Sequence, residues 1–320
     1  MTVHAGLDEA GYGPMLGPLT VGFSAFRRSG SLDWETLAGA VTDAPSGDRE
    51  RLVVADSKRV FTRNPRGARR LEATALTFLA AAGTPVRAPG ALLRCAPEGL
   101  APSDEVLADH PWYASLPTSL PLHCTEEALG EHLRRLEGAL EGARADVAAA
   151  GVAVIPAGTL NASFARTDNK GATLWSFHSR VVLDLFERFG EEGLDLTCDR
   201  LGGRARYGRA LSELVPFSTV RVLSESRQES RYLVTAGARR MHVRFVQKGD
   251  AISLPTALAS CLAKYARELV MGAFNRHFEA VGPGVRPTAG YVTDARRWLE
   301  DMERAAPGGL PAPSSLIRSR

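Results

Sequence analysis

Cysteine is scarce. Cys95, Cys124, Cys198 and Cys261 stand far apart, with no C-x-x-C among them. Disulfide scaffolds and structural zinc sites use clustered spacings, so neither is expected to organise this chain. Aromatic residues make up only 7% of the 320 positions, which leaves the core mainly to Leu, Val and Ala. No apolar run approaches the ~20 residues that span a bilayer. The opening, Met1-Thr2-Val3-His4-Ala5-Gly6-Leu7-Asp8-Glu9, lacks the basic start and apolar stretch of a secretory signal. A cytoplasmic location is therefore expected. No phosphate-binding loop, dinucleotide fingerprint or G-x-S-x-G motif occurs, and the seven histidines are scattered. Lysine is almost missing too: Lys58, Lys170, Lys248 and Lys264 are the only ones among 39 basic residues. Where arginine is used nearly everywhere, a lysine hints at a site that wants a compact ammonium.

What is present suits a folded chain. Hydrophobic residues reach 44% and charged ones 23%, enough for one large or two modest domains with a sizeable core. The net charge of +3 says little, but its distribution is uneven. From Arg200 to Lys248 there are eleven Arg or Lys against Glu213, Glu225 and Glu229. Such an excess is what a polyphosphate-binding face needs, although a solvated arginine-rich surface would look the same.

The apolar pattern alternates between sheet and helix. Val3 to Leu7 and Leu19 to Phe26 read as two strands of a wide hairpin, separated by Gly11-Tyr12-Gly13-Pro14. Residues 67–82 read as a helix. Seven prolines between 85 and 125 argue against regular helix or central strand there, and for a long excursion serving as a lid or wall. Leu129, Leu133, Leu136, Leu140 and Val147 predict an amphipathic helix ending near Gly151. Leu174, Phe177, Val181, Leu185 and Phe189 predict another over 172–189. Strands are expected at 194–198, 218–224 and 240–247, and a helix at 255–274 opened by Pro255. There is no internal repeat. The order of elements implies an α/β sheet domain with helical additions.

Three segments place carboxylates where strands end or helices begin. They are Asp8-Glu9 after the first strand, Asp199 after Leu194–Cys198, and Asp250 in Lys248-Gly249-Asp250. Strand ends at one sheet edge can converge from distant parts of a chain. Gathered carboxylates repel one another and ionise with difficulty unless a cation joins them. Hard divalent ions with oxygen ligands relieve the repulsion, which makes Mg²⁺ or Mn²⁺ the natural occupant. Two such ions about 4 Å apart would clamp the attacking and leaving oxygens of a phosphodiester.

The same segments carry a resemblance. Asp8-Glu9-Ala10-Gly11-Tyr12-Gly13-Pro14 with Leu16-Gly17-Pro18 is similar to the opening motif of the ribonuclease HII family, D-E-A-G-R-G-P followed by G-P. Asp56-Ser57-Lys58 matches its D-S-K. Lys248-Gly249-Asp250 and the segment Ala257 to Glu268 resemble its K-G-D and the helix that follows, and Gly290-Tyr291 with Trp298-Leu299 its late G-Y and next helix. Cys198-Asp199-Arg200 is placed like its third carboxylate. Two departures stand out: Tyr12 replaces the arginine of the glycine turn, and the Pro-rich 85–125 has no counterpart. Ile317-Arg318-Ser319-Arg320 only faintly matches the family's ending.

The resemblance implies a ribonuclease H-like α/β fold, a mixed sheet with flanking helices and a helical C-terminal part. It divides the chain into a catalytic domain over 1–274 carrying the insertion at about 85–125, a helical extension over 275–306, and a flexible tail over 307–320. It implies a monomeric endoribonuclease that hydrolyses the RNA strand of RNA–DNA hybrids, or single ribonucleotides in duplex DNA. The products would be 5′-phosphate and 3′-hydroxyl ends. Asp8, Glu9, Asp199 and Asp250 would be catalytic and hold two Mg²⁺ or Mn²⁺ ions. The backbone of Gly11, Tyr12 and Gly13 would read the 2′-hydroxyl, Tyr291 would pack on the sugar, and Ser57 and Lys58 would hold phosphate. Two other readings stay open: a non-catalytic nucleic-acid binder on the same scaffold, and a related DNA nuclease.

Overall fold

A computed structural model describes residues 1–45, 50–84 and 86–319. Pro85, the first proline of the predicted excursion, and Arg320 lie outside the described residues. The strands are β1 (Thr2–Ala10), β2 (Leu19–Arg28), β3 (Val41–Thr42), β4 (Leu52–Val53), β5 (Ala145–Ile155), β6 (Leu194–Asp199), β7 (Thr219–Glu225), β8 (Glu229–Ala236) and β9 (Arg239–Val246). The helices are α1 (Ser57–Val60), α2 (Pro65–Ala81), α3 (Pro89–Leu93), α4 (Asp104–Ala108), α5 (Glu126–Gly142), α6 (Ala157–Thr167), α7 (Lys170–Phe189), α8 (Gly208–Leu214), α9 (Leu254–Val281), α10 (Val292–Ala305) and α11 (Pro313–Leu316).

Seven strands form one sheet in the order β5-β2-β1-β6-β9-β8-β7. β1, β6 and β9 run parallel, and the flanking pairs are antiparallel. Strand alternation sends Val3, Ala5 and Leu7 into a core shared with Leu174, Val181 and Leu185 of α7. The even residues of β1 face α9, whose Leu258, Leu262 and Leu269 belong to a second core with α2 and α5. α9 lies unusually close to the strands. A Cβ on Gly6 would sit 2.1 Å from the Thr256 nitrogen, and one on Gly22 2.1 Å from the Ala259 oxygen. This is the mixed α/β sheet with flanking helices that the resemblance implies. No helix among the described residues is long and apolar enough to cross a membrane.

Three expectations need correction. The predicted helix from Leu129 stops at Gly142, and Val147 to Gly151 belong to β5 instead. Arg144 adopts a left-handed φ of 49°, which ends the helix and turns the chain into the sheet. The run of small and β-branched residues 147–155 then pairs with β2, so sheet pairing overrides helical spacing. The Pro-rich excursion holds short helices, with Pro89 and Pro111 in first-turn positions where the missing N–H costs nothing. It packs against the core. Trp112 is buried against Phe274 and Phe278 of α9, and Val152 of β5 donates to the Cys95 carbonyl at 3.1 Å.

One buried carboxylate anchors the end of that excursion. Glu72 of α2 has no exposure and accepts from the N–H groups of Leu122, His123 and Cys124 and from the Tyr265 hydroxyl.

The tail is the third correction. Residues 307–320 were expected to be flexible, yet Pro313–Leu316 is helical and Ile317 bridges to Leu16. Asn161 of α6 donates to the carbonyls of Ser314 and Ile317, both at 2.7 Å, and accepts from the Ser319 N–H at 2.7 Å.

Candidate active site

The carboxylates sit at the C-terminal ends of the parallel strands. Parallel pairing sets Leu7 opposite Cys198, so the next residues, Asp8 and Asp199, lie side by side. Both share the α9-facing side of the sheet. Asp8 is 7% exposed, accepts the Glu9 N–H at 2.8 Å and lies near Ser260 of α9. Asp199 closes β6 and accepts the Gly249 N–H at 2.9 Å. Lys248 has a left-handed φ of 58°, which bends the chain out of β9 and sets Gly249–Ala251 into a single helical turn carrying Asp250.

Strand alternation sends Glu9 to the opposite face. There His178 of α7 holds it, with Nε2 3.2 Å from Glu9 Oε2. The other ring nitrogen, Nδ1, donates to the Leu174 carbonyl at 3.0 Å, which fixes the ring.

Electrostatics shows that the four groups share one field. Burial pushes the Asp8 carboxyl well above the ordinary range, and the charges of Glu9, Asp199 and Asp250 push it further. Asp199 is raised by burial and by Glu9, against the pull of the Gly249 hydrogen bond. Asp250 is raised to about 6 by burial and by Asp56 and Asp199, with Lys58 acting the other way. Among the described residues, no three such side chains are gathered at metal-ligand spacing. The donor set still fits a hard divalent cation. Its ligands are all oxygen, they repel one another, and they are partly stripped of water.

The remaining predicted residues surround this cluster. Gly11, with φ 88°, opens the turn that carries Tyr12 and Gly13. Tyr12 is raised by burial and by Glu9, which places its ring within reach of the cluster. Gly290 accepts from the N–H groups of Met15 and Leu16 at 2.7 and 3.1 Å, bringing the half-exposed Tyr291 beside the same turn. Lys58 is exposed, while Ser57 is buried and receives the Ser260 hydroxyl at 3.1 Å. Ser57 therefore pairs with Ser260 beneath the site and is turned away from the surface.

Several residues here have no role in the sequence reading. Asp56 joins the carboxylate field and caps α1 by accepting the Lys58 N–H at 2.9 Å. His178 left one signal, a polar residue in the middle of the buried stripe of α7. Arg267 and Arg318 are both almost fully buried and clamp the glycine turn through its carbonyls. Arg318 donates to Gly17 at 2.8 Å, to Pro14 at 3.2 Å and to Gly11. Arg267 donates to Leu16 at 3.2 Å, to Ala289 at 3.3 Å and to Pro18. Two guanidinium groups thus hold one loop from behind.

No family model matches this chain, and no curated protein does so either. Solved structures are similar to it over most of its length. Ribonuclease HII of Archaeoglobus fulgidus, determined in complex with PCNA, is 17% identical, with 99% of this chain and 94% of that chain covered and a TM-score of 0.44. Ribonuclease H2 of Pyrococcus horikoshii OT3 is 12% identical, with 94% and 87% covered and a TM-score of 0.39. Bst ribonuclease HIII in complex with Mn²⁺ is 13% identical, with 99% and 66% covered and a TM-score of 0.43.

Proposed function

We propose that this chain is a divalent-metal-dependent endoribonuclease of the ribonuclease HII type. It cuts the RNA strand of RNA–DNA hybrids, or DNA at a single embedded ribonucleotide, leaving 5′-phosphate and 3′-hydroxyl ends. The observation that carries this is the shared field of Asp8, Glu9, Asp199 and Asp250, drawn from three distant segments to one sheet edge. A cluster of anions at that edge repels a phosphodiester unless cations sit between them, so a phosphate-binding protein without metals gains nothing from it.

Asp8, Glu9, Asp199 and Asp250 would hold Mg²⁺ or Mn²⁺, which when bound supply Lewis acidity for in-line phosphodiester hydrolysis. The chain's own residues do the rest. The Glu9 N–H and the Gly249 N–H orient Asp8 and Asp199, and His178 orients Glu9. The backbone of Gly11, Tyr12 and Gly13 faces the 2′-hydroxyl that distinguishes RNA from DNA. Tyr291 packs on the sugar, and Lys58 contacts phosphate.

The test is a cleavage assay on four substrates in Mg²⁺ or Mn²⁺: all-DNA, all-RNA duplex, hybrid, and DNA with one ribonucleotide. Cleavage at ribonucleotides alone is expected, and Asp8→Asn should abolish it while leaving the fold intact. Equal cleavage of all-DNA would point to a DNA nuclease. Salt-dependent hybrid binding with no cleavage in either metal would point to a non-catalytic binder.

A further inference from the structure

Position 12 holds tyrosine where the resemblance implies arginine, and a cation reaches the same spot from another element. Lys170 is the first residue of α7, a helix of 20 residues. Its Nζ lies 5.2 Å from the centroid of the Tyr12 ring, within the range of an ammonium–π contact. Lys170 is exposed and makes no ion pair among the described residues. Glu9 acts on the same Tyr12 phenol. The ring therefore stands between the carboxylate cluster and the ammonium, keeping the cation next to the site yet out of direct pairing with it.

Behind Lys170 the positive charge continues. Tyr12, Gly13, Pro14, Lys170, Arg318 and Ser319 all line one narrow cleft. Arg318 is 4% exposed, and its Nη2 has no hydrogen-bond partner among the described residues. Burial and the neighbouring Arg267 hold its guanidinium down at about 9, so this charge lacks a compensating anion. The N-terminus of α7 adds the positive end of a long helix to the same cleft. An exposed lysine, a buried arginine with one unpartnered nitrogen and a helix N-terminus converge on this cleft, whose other walls include Leu19, Leu160 and Phe164.

We infer that Lys170, Arg318 and the N-terminus of α7 form a phosphate subsite beside the glycine turn, taking a non-scissile phosphate of the bound strand. This rests on the nuclease reading above. Tyr12 is then the platform that holds the lysine.

The test measures binding without turnover. Wild type, Lys170→Ala, and Lys170→Ala combined with Tyr12→Arg are titrated by fluorescence anisotropy across a salt series in Ca²⁺, a hard dication that neutralises the carboxylates, in place of Mg²⁺. The probes are a duplex with one ribonucleotide and its all-DNA counterpart. Lys170 is exposed, so Lys170→Ala should melt like wild type. It is expected to weaken binding about tenfold at low salt and to lower the salt slope by about 0.9, one phosphate contact. Tyr12→Arg should restore both in the double variant. Unchanged affinity and slope in Lys170→Ala, or a double variant as weak as the single one, overturns the subsite and leaves the nuclease reading standing. A wild type that neither binds nor cleaves ribonucleotide-containing duplex overturns both.

Discussion

Replacing Asp250 by asparagine tests the carboxylate field directly, because the change removes a charge and keeps the shape. In the fold this carboxyl titrates at about 6 against an ordinary value of 3.8, driven up by burial and by Asp56 and Asp199. A folded pKa above the unfolded one means that the folded state holds the proton more tightly. The group therefore costs nothing well below pH 4, where both states are protonated. The penalty builds as pH rises from about 4 to about 6 and is level above that. The gap corresponds to about 3 kcal/mol when unscreened, and partial solvent access reduces it to about 1–2 kcal/mol. Urea denaturation in chelator, at pH 4 and pH 8, provides the assay. Asp250→Asn should be more stable than wild type by that amount at pH 8 and close to it at pH 4. Added Mg²⁺ should narrow the gap at pH 8 by stabilising only wild type. A variant that is less stable at pH 8, or a difference that ignores pH, would refute the shared field.

Three further outcomes follow from the packing. Glu72→Ala removes the acceptor of three part-buried N–H groups and of the buried Tyr265 hydroxyl, and should cost about 2–3 kcal/mol in chemical denaturation. Gly22→Ala puts a methyl 2.1 Å from the Ala259 oxygen. It should lower stability by about 2–3 kcal/mol and, by shifting Ser260, lower kcat as well, read from melts and steady-state cleavage. Arg318→Met frees the carbonyls of Gly11, Pro14 and Gly17. Limited proteolysis should then cut the 307–319 segment faster than in wild type, and KM for ribonucleotide duplex should rise more than kcat falls.

Much of this arrangement was legible from residue pattern alone. The apolar stripes of α7 and α9 marked their buried faces, because a helix packed on a sheet repeats its contacts every three or four residues. The alternation in β6 and β9 marked strands that are covered on one face. The carboxylate positions at strand ends were visible for the same reason. Other features depend on tertiary partners and left no local trace. β5 looks helical until β2 is there to pair with it, since alanine and valine at mixed spacing satisfy either period. β8 was missed because Arg231 and Tyr232 sit inside an arginine-rich stretch whose charge masks the alternation of Ser230, Tyr232 and Val234. The link between Glu9 and His178 spans 169 positions, and nothing in either neighbourhood announces the other. The tail carries Pro, Gly and Ser, yet one buried arginine ties it down.

The site joins residue 8 to residue 250 through strands that meet only when β9 has taken its place beside β6. A polypeptide that stops short of that point can keep Asp8, Glu9 and Asp199 but lacks Asp250 and the turn that carries it. Completeness is thus built into the wiring: the fourth carboxylate joins the other three only with the last strand.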